Sequence, residues 1–177
     1  MIFKATALVG VFVLEPERHV DERGFFARTY DPEELRAHGL DPTVAQASVS
    51  FNHRRGTLRG LHYQAAPLEE AKLVRVTRGA VFDVVVDARS GSPTRGGHVA
   101  VTLSAEEGNQ LYVPPGCAHG FQTLADATEV CYLISVPYSA AHARGYRYDD
   151  PTLAIAWPEP VTVISARDRA LPPFRVE

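Results

Sequence analysis

Gly108–His119 reads GNQLYVPPGCAH, and its spacing decides the fold. A glycine precedes a short apolar run. Pro114, Pro115 and Gly116 follow, and His119 stands three residues beyond. Proline presets φ for the second position of a tight turn, and glycine supplies the positive φ that the third position needs. The stretch is therefore strand, turn and strand, with His119 opening the second strand and aimed at a barrel interior. The same grammar continues outward in both directions. Short runs rich in Val, Tyr and Phe are broken by Gly, Pro and Asn clusters, as an all-β barrel requires. Strands are expected at 5–14, 24–30, 44–51, 58–64, 71–78, 80–87, 97–103, 110–113, 119–124 and 128–135. One helix announces itself: Asp31 caps, Pro32 suits the first turn, Glu34 completes a capping box and Gly39 ends it.

The spacing resembles the second sequence motif of the cupin superfamily, although Thr123 stands where an asparagine usually closes it. That resemblance implies an all-β, cupin-like jelly-roll barrel with a few short helices. No repeat, linker or composition shift marks a second domain, so 1–177 is expected to be one domain. The polar, proline-rich segment 139–177 is expected to wrap the barrel.

A chain of 177 residues with 45% hydrophobic content can bury one sizeable core. The formal net charge of -3 gives no reason to expect a nucleic-acid partner. The start, MIFKATALVGVFVLEP, superficially suggests a signal peptide, but its apolar run is short, β-branched and without a cleavage site. It is expected to be strand. No run approaches the roughly 20 apolar residues of a membrane span. Cys117 and Cys131 fit no disulfide or metal framework and are expected to be buried thiols in a reducing, cytoplasmic setting.

Gly56–Gln64, GTLRGLHYQ, breaks the period of its own strand. Residues three apart on a strand point to opposite faces. Arg59 and His62 can share a site only if the backbone bulges between them, which Gly60 permits. Parity places other polar groups. Lys72 shares an apolar face with Val74 and Val76, where an ammonium must be paired. Tyr132 lies among Val130 and Ile134. Asp83 either faces the interior with Lys72 and His62 or faces water with Asp87. A histidine, a cation and a phenol in one barrel suit proton abstraction beside a carbonyl.

DERGFFAR (21–28), GTLRGLHYQ (56–64), KLVRVTRGAVFDVVVDAR (72–89), LYVPPGCAHGFQTL (111–124), EVCYL (129–133), DDPTLAIAWP (149–158) and SARD (165–168) resemble the dTDP-4-dehydrorhamnose 3,5-epimerase family in order. The resemblance implies that His62 is the base at C3 and C5 of a nucleotide-linked 4-keto-6-deoxy-sugar. Asp168 completes its dyad, Tyr132 is the acid on the opposite ring face, and Lys72 stabilises the enolate. Arg59 and His119 hold the sugar nucleotide, Arg23 the diphosphate and Phe26 the base, while Tyr138 lines the pocket. Arg28, Gln46 and Arg167 join the substrate-binding set. The resemblance also implies no metal or other cofactor, and a homodimer with strand exchange. Three positions depart from the pattern: Arg28 and Ala143 replace frequent glutamates, and Gln46-Ala47-Ser48 replaces a usual QDN.

Two other readings share this barrel. A metal-dependent cupin needs His-x-His, a nearby Glu and the later His, but here the first motif is His62, Tyr63, Gln64 and Glu69. Gln64 replaces a ligand. A non-catalytic sugar-nucleotide module leaves the survival of His62, Lys72, Tyr132 and Asp168 unexplained. Within the family, inversion at C3 alone would use the same base and acid.

Overall fold

A computed structural model describes residues 1–175 of the chain. The strands, in order, are β1 (Ile2–Ala5), β2 (Phe12–Glu15), β3 (His19–Asp21), β4 (Gly24–Phe26), β5 (Gln46–Asn52), β6 (Thr57–Gln64), β7 (Lys72–Arg78), β8 (Ala80–Asp87), β9 (His98–Ser104), β10 (Gln110–Val113), β11 (Cys117–Thr123), β12 (Thr128–Ile134), β13 (Ala143–Gly145) and β14 (Val163–Ile164). The helices are α1 (Pro32–Ala37) and α2 (Ala166–Arg169). One sheet runs β1-β2-β10-β7-β12-β5 and the other β13-β6-β11-β8-β9, with β14 added parallel to β6. β3 and β4 form a separate two-stranded ribbon. The two large sheets make the expected all-β jelly roll.

The turn that joins β10 to β11 also joins the two sheets. Gly116 has φ +78°, and Cys117 N–H donates to Pro114 C=O at 3.3 Å. β11 starts at Cys117, two residues earlier than expected, so His119 is its third residue.

Alternation sorts the side chains into three cores. Between the sheets lie Val74, Val76, Val81, Val85, Phe121 and Val130 among others. The outer face of the first sheet is covered by Leu35 and Leu40, packed on Leu14, Leu73 and Tyr112. The outer face of the second carries Leu61, Val84 and Val86 under Leu153, Phe174 and Trp157. β8 is thus apolar on both faces, which is why it reads as an almost continuous hydrophobic run.

Several expectations need correction. The single strand at 5–14 is a hairpin, β1 with β2, because Gly10 adopts φ +80° and Thr6 N–H closes onto Val11 C=O at 3.2 Å. The strand at 24–30 ends at Phe26 and pairs with β3, which was not expected. Asp31 caps α1 by accepting from Glu33 and Glu34 N–H, but the Glu34 carboxylate turns to the Met1 amino group rather than back to the cap. Cys131 is half-buried beside Thr77, whereas Cys117 is buried. No helix among the described residues is long and apolar enough to cross a membrane.

Candidate active site

The bulge in β6 is present. His119 faces His62 and Phe121 faces Arg59, so two steps along β11 are matched by three along β6. Gly60 absorbs the extra residue at φ +118°, and a Cβ there would lie 2.6 Å from Gly120 Cα and 2.8 Å from His119 C=O. Leu61 turns to the outer core, while Arg59 and His62 both line the cavity. Gly60 N–H instead donates to Asp168 Oδ2 at 3.1 Å.

Asp168 arrives from the far end of the chain. β14 pairs with Thr57 and Leu58, and Ser165 then caps α2 by accepting from Asp168 N–H at 3.0 Å. This one-turn helix sets Asp168 Oδ1 2.8 Å from His62 Nε2. The Asp168 side chain is 7% exposed and the His62 side chain 40%. Burial alone would raise the Asp168 carboxyl, but the bonds from His62, Gly60 and Ser165 outweigh it and hold it below its ordinary value. With Nε2 on the carboxylate, Nδ1 is the unshared nitrogen of the ring.

The cavity, about 470 Å³, lies between the sheets. Lys72 on β7 is buried, its Nζ 2.9 Å from Glu70 Oε1 and donating to His62 C=O at 3.1 Å. The ammonium is thus ion-paired with Glu70 and hydrogen-bonded to His62 C=O, with N–H capacity left for the cavity. Tyr132 projects from β12, and burial, then the Asp83 carboxylate, push its phenol well above the ordinary value. His119 from β11 meets Tyr132 edge-to-face, with ring centroids 6.1 Å apart. Arg59 is steadied by Asn52 Oδ1 at 2.8 Å, and Gln46 Oε1 accepts from Tyr138 N–H at 2.9 Å. Gln46, Tyr138 and Arg167 line the cavity too.

Asp83 is resolved as an inward residue, but its partner is His119 rather than His62, at 2.7 Å. Asp87 does not face water either: it is buried under Arg89, Ser92 and Thr94. Glu70 and Asn52 were missed. Asn52 ends β5 and Glu70 lies in the loop before β7, where alternation carries little information, although a buried lysine two residues from Glu70 was itself a signal. Gln64 is a strut: its amide donates to Leu68 and Pro137 C=O and accepts from Ser139 N–H. Among the described residues no group of three or more His, Cys, Asp and Glu could hold a metal ion.

Three expected binding residues are not brought to this cavity within the chain. Arg23 is 84% exposed and pairs with Asp21; Phe26 is 73% exposed on the ribbon. Arg28 pairs with Asp31 at 2.7 Å and lies 3.6 Å from Glu34.

Groups that can take, give and electrostatically favour a proton transfer converge here, with no nucleophile–base pair beside them, and the class they define is a cupin-type acid–base enzyme. Comparison with known proteins narrows that class. The sequence matches the dTDP-4-dehydrorhamnose 3,5-epimerase family over residues 5–176, and the chain belongs to that family. A dTDP-4-dehydrorhamnose 3,5-epimerase of Sinorhizobium fredii is 43% identical over 173 residues, 97% of this chain and 89% of its own. The crystal structure of the Bacillus anthracis enzyme with TDP and PPi bound has a TM-score of 0.94 at 40% identity, covering 98% of this chain and 99% of that one. ChmJ, a 3'-monoepimerase from Streptomyces bikiniensis in complex with dTDP-quinovose, has a TM-score of 0.87 at 38% identity, covering 95% and 85%.

Proposed function

We propose that this chain epimerises a dTDP-linked 4-keto-6-deoxyhexose at C3 and C5 by proton abstraction and enolate formation. The observation that carries this is His62 on one sheet, backed by Asp168 from α2, facing the Tyr132 phenol on the other sheet across a single cavity. A base and an acid on opposite walls reach opposite faces of a ring held between them, which is what inversion requires. His62 Nδ1 takes the proton beside the C4 carbonyl, and Asp168 stabilises the imidazolium that forms. The free N–H of Lys72 stabilises the oxyanion of the enolate. Tyr132, kept protonated by its raised pKa, returns a proton to carbon from the other side. Arg59 and His119 hold the sugar nucleotide, with Gln46, Tyr138 and Arg167 at the wall.

The ribbon residues fit a homodimer that exchanges strands. Arg23 and Phe26 lie outside their own chain's cavity, and in this arrangement they serve the partner's, Arg23 at the diphosphate and Phe26 at the base. Arg28 is engaged by Asp31 and Glu34, so nucleotide recognition falls to the remaining groups.

Solvent deuterium exchange tests the chemistry, read position by position on a dTDP-4-keto-6-deoxyglucose substrate. Wild-type protein is expected to incorporate deuterium at both C3 and C5. His62→Asn should lose both by ~10² or more. Tyr132→Phe should keep washout while inverted product falls sharply. Exchange confined to C3 would make the enzyme a monoepimerase like ChmJ, and normal exchange in His62→Asn would remove His62 from the mechanism.

A further inference from the structure

One buried pair on the cavity wall has no part in the chemistry so far. Asp83, on the inner face of β8, is fully buried, with Oδ1 2.7 Å from His119 Nε2. Its Oδ2 is buried without a hydrogen-bond partner, an arrangement that costs free energy and calls for a reason. Burial raises the carboxyl from its ordinary value, and His119 and then Lys72 oppose that rise. The imidazole that Asp83 holds is itself buried and stands edge-to-face against Tyr132. Its Nε2 is committed to the carboxylate, which leaves Nδ1 as the exchangeable nitrogen. Among the described residues the Tyr132 hydroxyl has no hydrogen-bond partner.

An acid–base inversion leaves a proton imbalance. Afterwards His62 holds one proton too many and Tyr132 lacks one. His62 is 40% exposed and can discharge to water. Tyr132 is half-buried at the cavity wall between Val130 and His119, and its phenolate is a strong base in that setting. His119 is the neighbouring ring with an exchangeable proton, its centroid 6.1 Å from that of Tyr132.

We propose that Asp83 and His119 form a second carboxylate–imidazole pair that reprotonates Tyr132 between inversions. The inference rests on the acid–base function proposed above. In the step, the His119 Nδ1–H bond breaks and the Tyr132 O–H bond forms. The imidazole is left neutral, with Nε2–H still donated to Asp83. Water in the cavity then returns a proton to Nδ1. Over one inversion a single proton leaves through His62 and a single proton enters through His119, so the balance closes. Asp83 acts as a positioning residue: its 2.7 Å contact with Nε2 fixes the ring against the phenol and turns Nδ1 to the cavity side. Lys72 from β7 and Arg59 from β6 are the other charged groups felt by this assembly.

Pre-steady-state kinetics of Asp83→Asn distinguishes this relay from a structural role. Tyr132 enters the first inversion already protonated, so that event should proceed at close to the wild-type rate. Later events wait for a proton. The expected trace is a burst of one inversion per active site, then a steady rate lower by about 10², the lower end of what a positioned proton donor contributes. Equal slowing of the first and later inversions, or an unchanged steady rate, would overturn the relay. Should Asp83→Asn not fold, Asp83→Ser removes the carboxylate with a smaller side chain and is judged by the same two outcomes. Absence of exchange in wild-type protein would instead sink the acid–base function itself, whereas wild-type exchange with no burst in the variant removes the relay alone.

Discussion

Asp168 is the residue on which local structure and chemistry meet most tightly. Its two oxygens accept from His62 and from Gly60, so one carboxylate both backs the base and ties off the bulge that presents it. Its pKa is lowered on folding, which fixes a sign for the pH dependence. A carboxyl with a depressed folded pKa contributes stability above its unfolded value, about 3.9, and that contribution fades as pH falls through the folded value. Asp168→Asn should therefore be less stable than wild type at neutral pH, with the gap narrowing below about pH 4. Urea denaturation across that range checks it, and a gap independent of pH would show that the charge of Asp168 carries no stability. The variant should also lose activity strongly while still binding nucleotide, since the imidazolium is no longer compensated. Residue-level chemistry was partly legible in the sequence. Lys72 had to be paired because an ammonium on an apolar face has few alternatives. That the partner is Glu70 lay within reach of a local reading, two residues away, but that His119 rather than His62 takes Asp83 depends on the pairing of β8 with β11, which no local pattern encodes.

At the scale of elements, β6 was read correctly because it broke a rule. Arg59 and His62 cannot share a face of a regular strand, and the register shift opposite His119 and Phe121 supplies the missing residue. Gly60→Ala tests how far the site depends on that irregularity. At φ +118° any side chain is strained, by about 1–3 kcal/mol. The added Cβ would also press on backbone atoms of Gly120 and His119, which cannot rotate away. The expected outcome is lower stability in denaturant titration together with a collapse of proton exchange, because Gly60 N–H would no longer sit on Asp168. A variant as stable and active as wild type would mean the bulge is incidental. Elsewhere the long strands were legible because each is apolar on at least one face, and β8 on both. β13 and β14 were not. Three and two residues long, they carry no period to read, and their pairing with β6 is decided by the tail's packing on the outer face of the second sheet. The hairpin within 5–14 was hidden for another reason, since residues on both sides of Gly10 are equally apolar and β-branched.

At the scale of the whole molecule, the β3–β4 ribbon is out of proportion to what a single chain can stabilise. Isolated two-stranded ribbons are marginal in water. This one leaves Val20, Phe25 and Phe26 75%, 59% and 73% exposed, while Val49 on the edge strand β5 is 62% exposed. The homodimer proposed above would cover both surfaces with a two-fold interface, the commonest symmetry of homo-oligomers. Light scattering is expected to give twice the chain mass of 19.4 kDa. A complementation experiment then asks which cavity the ribbon serves. The double variant Arg23→Ala/Phe26→Ala should lose nucleotide binding with its chemistry intact, and His62→Asn should lose chemistry with its ribbon intact. Each alone is expected to be inactive at low substrate. In mixed dimers the first chain keeps a working base and receives a working ribbon from the second, so one of the two cavities is complete. With random assortment, about a quarter of all cavities recover. If the ribbon folds back on its own cavity, no mixed dimer contains a complete site and activity stays at the level of the separate variants. Recovery near a quarter together with a dimeric mass would place Arg23 and Phe26 in the partner's site, whereas a mixture as inactive as its components would assign them to their own.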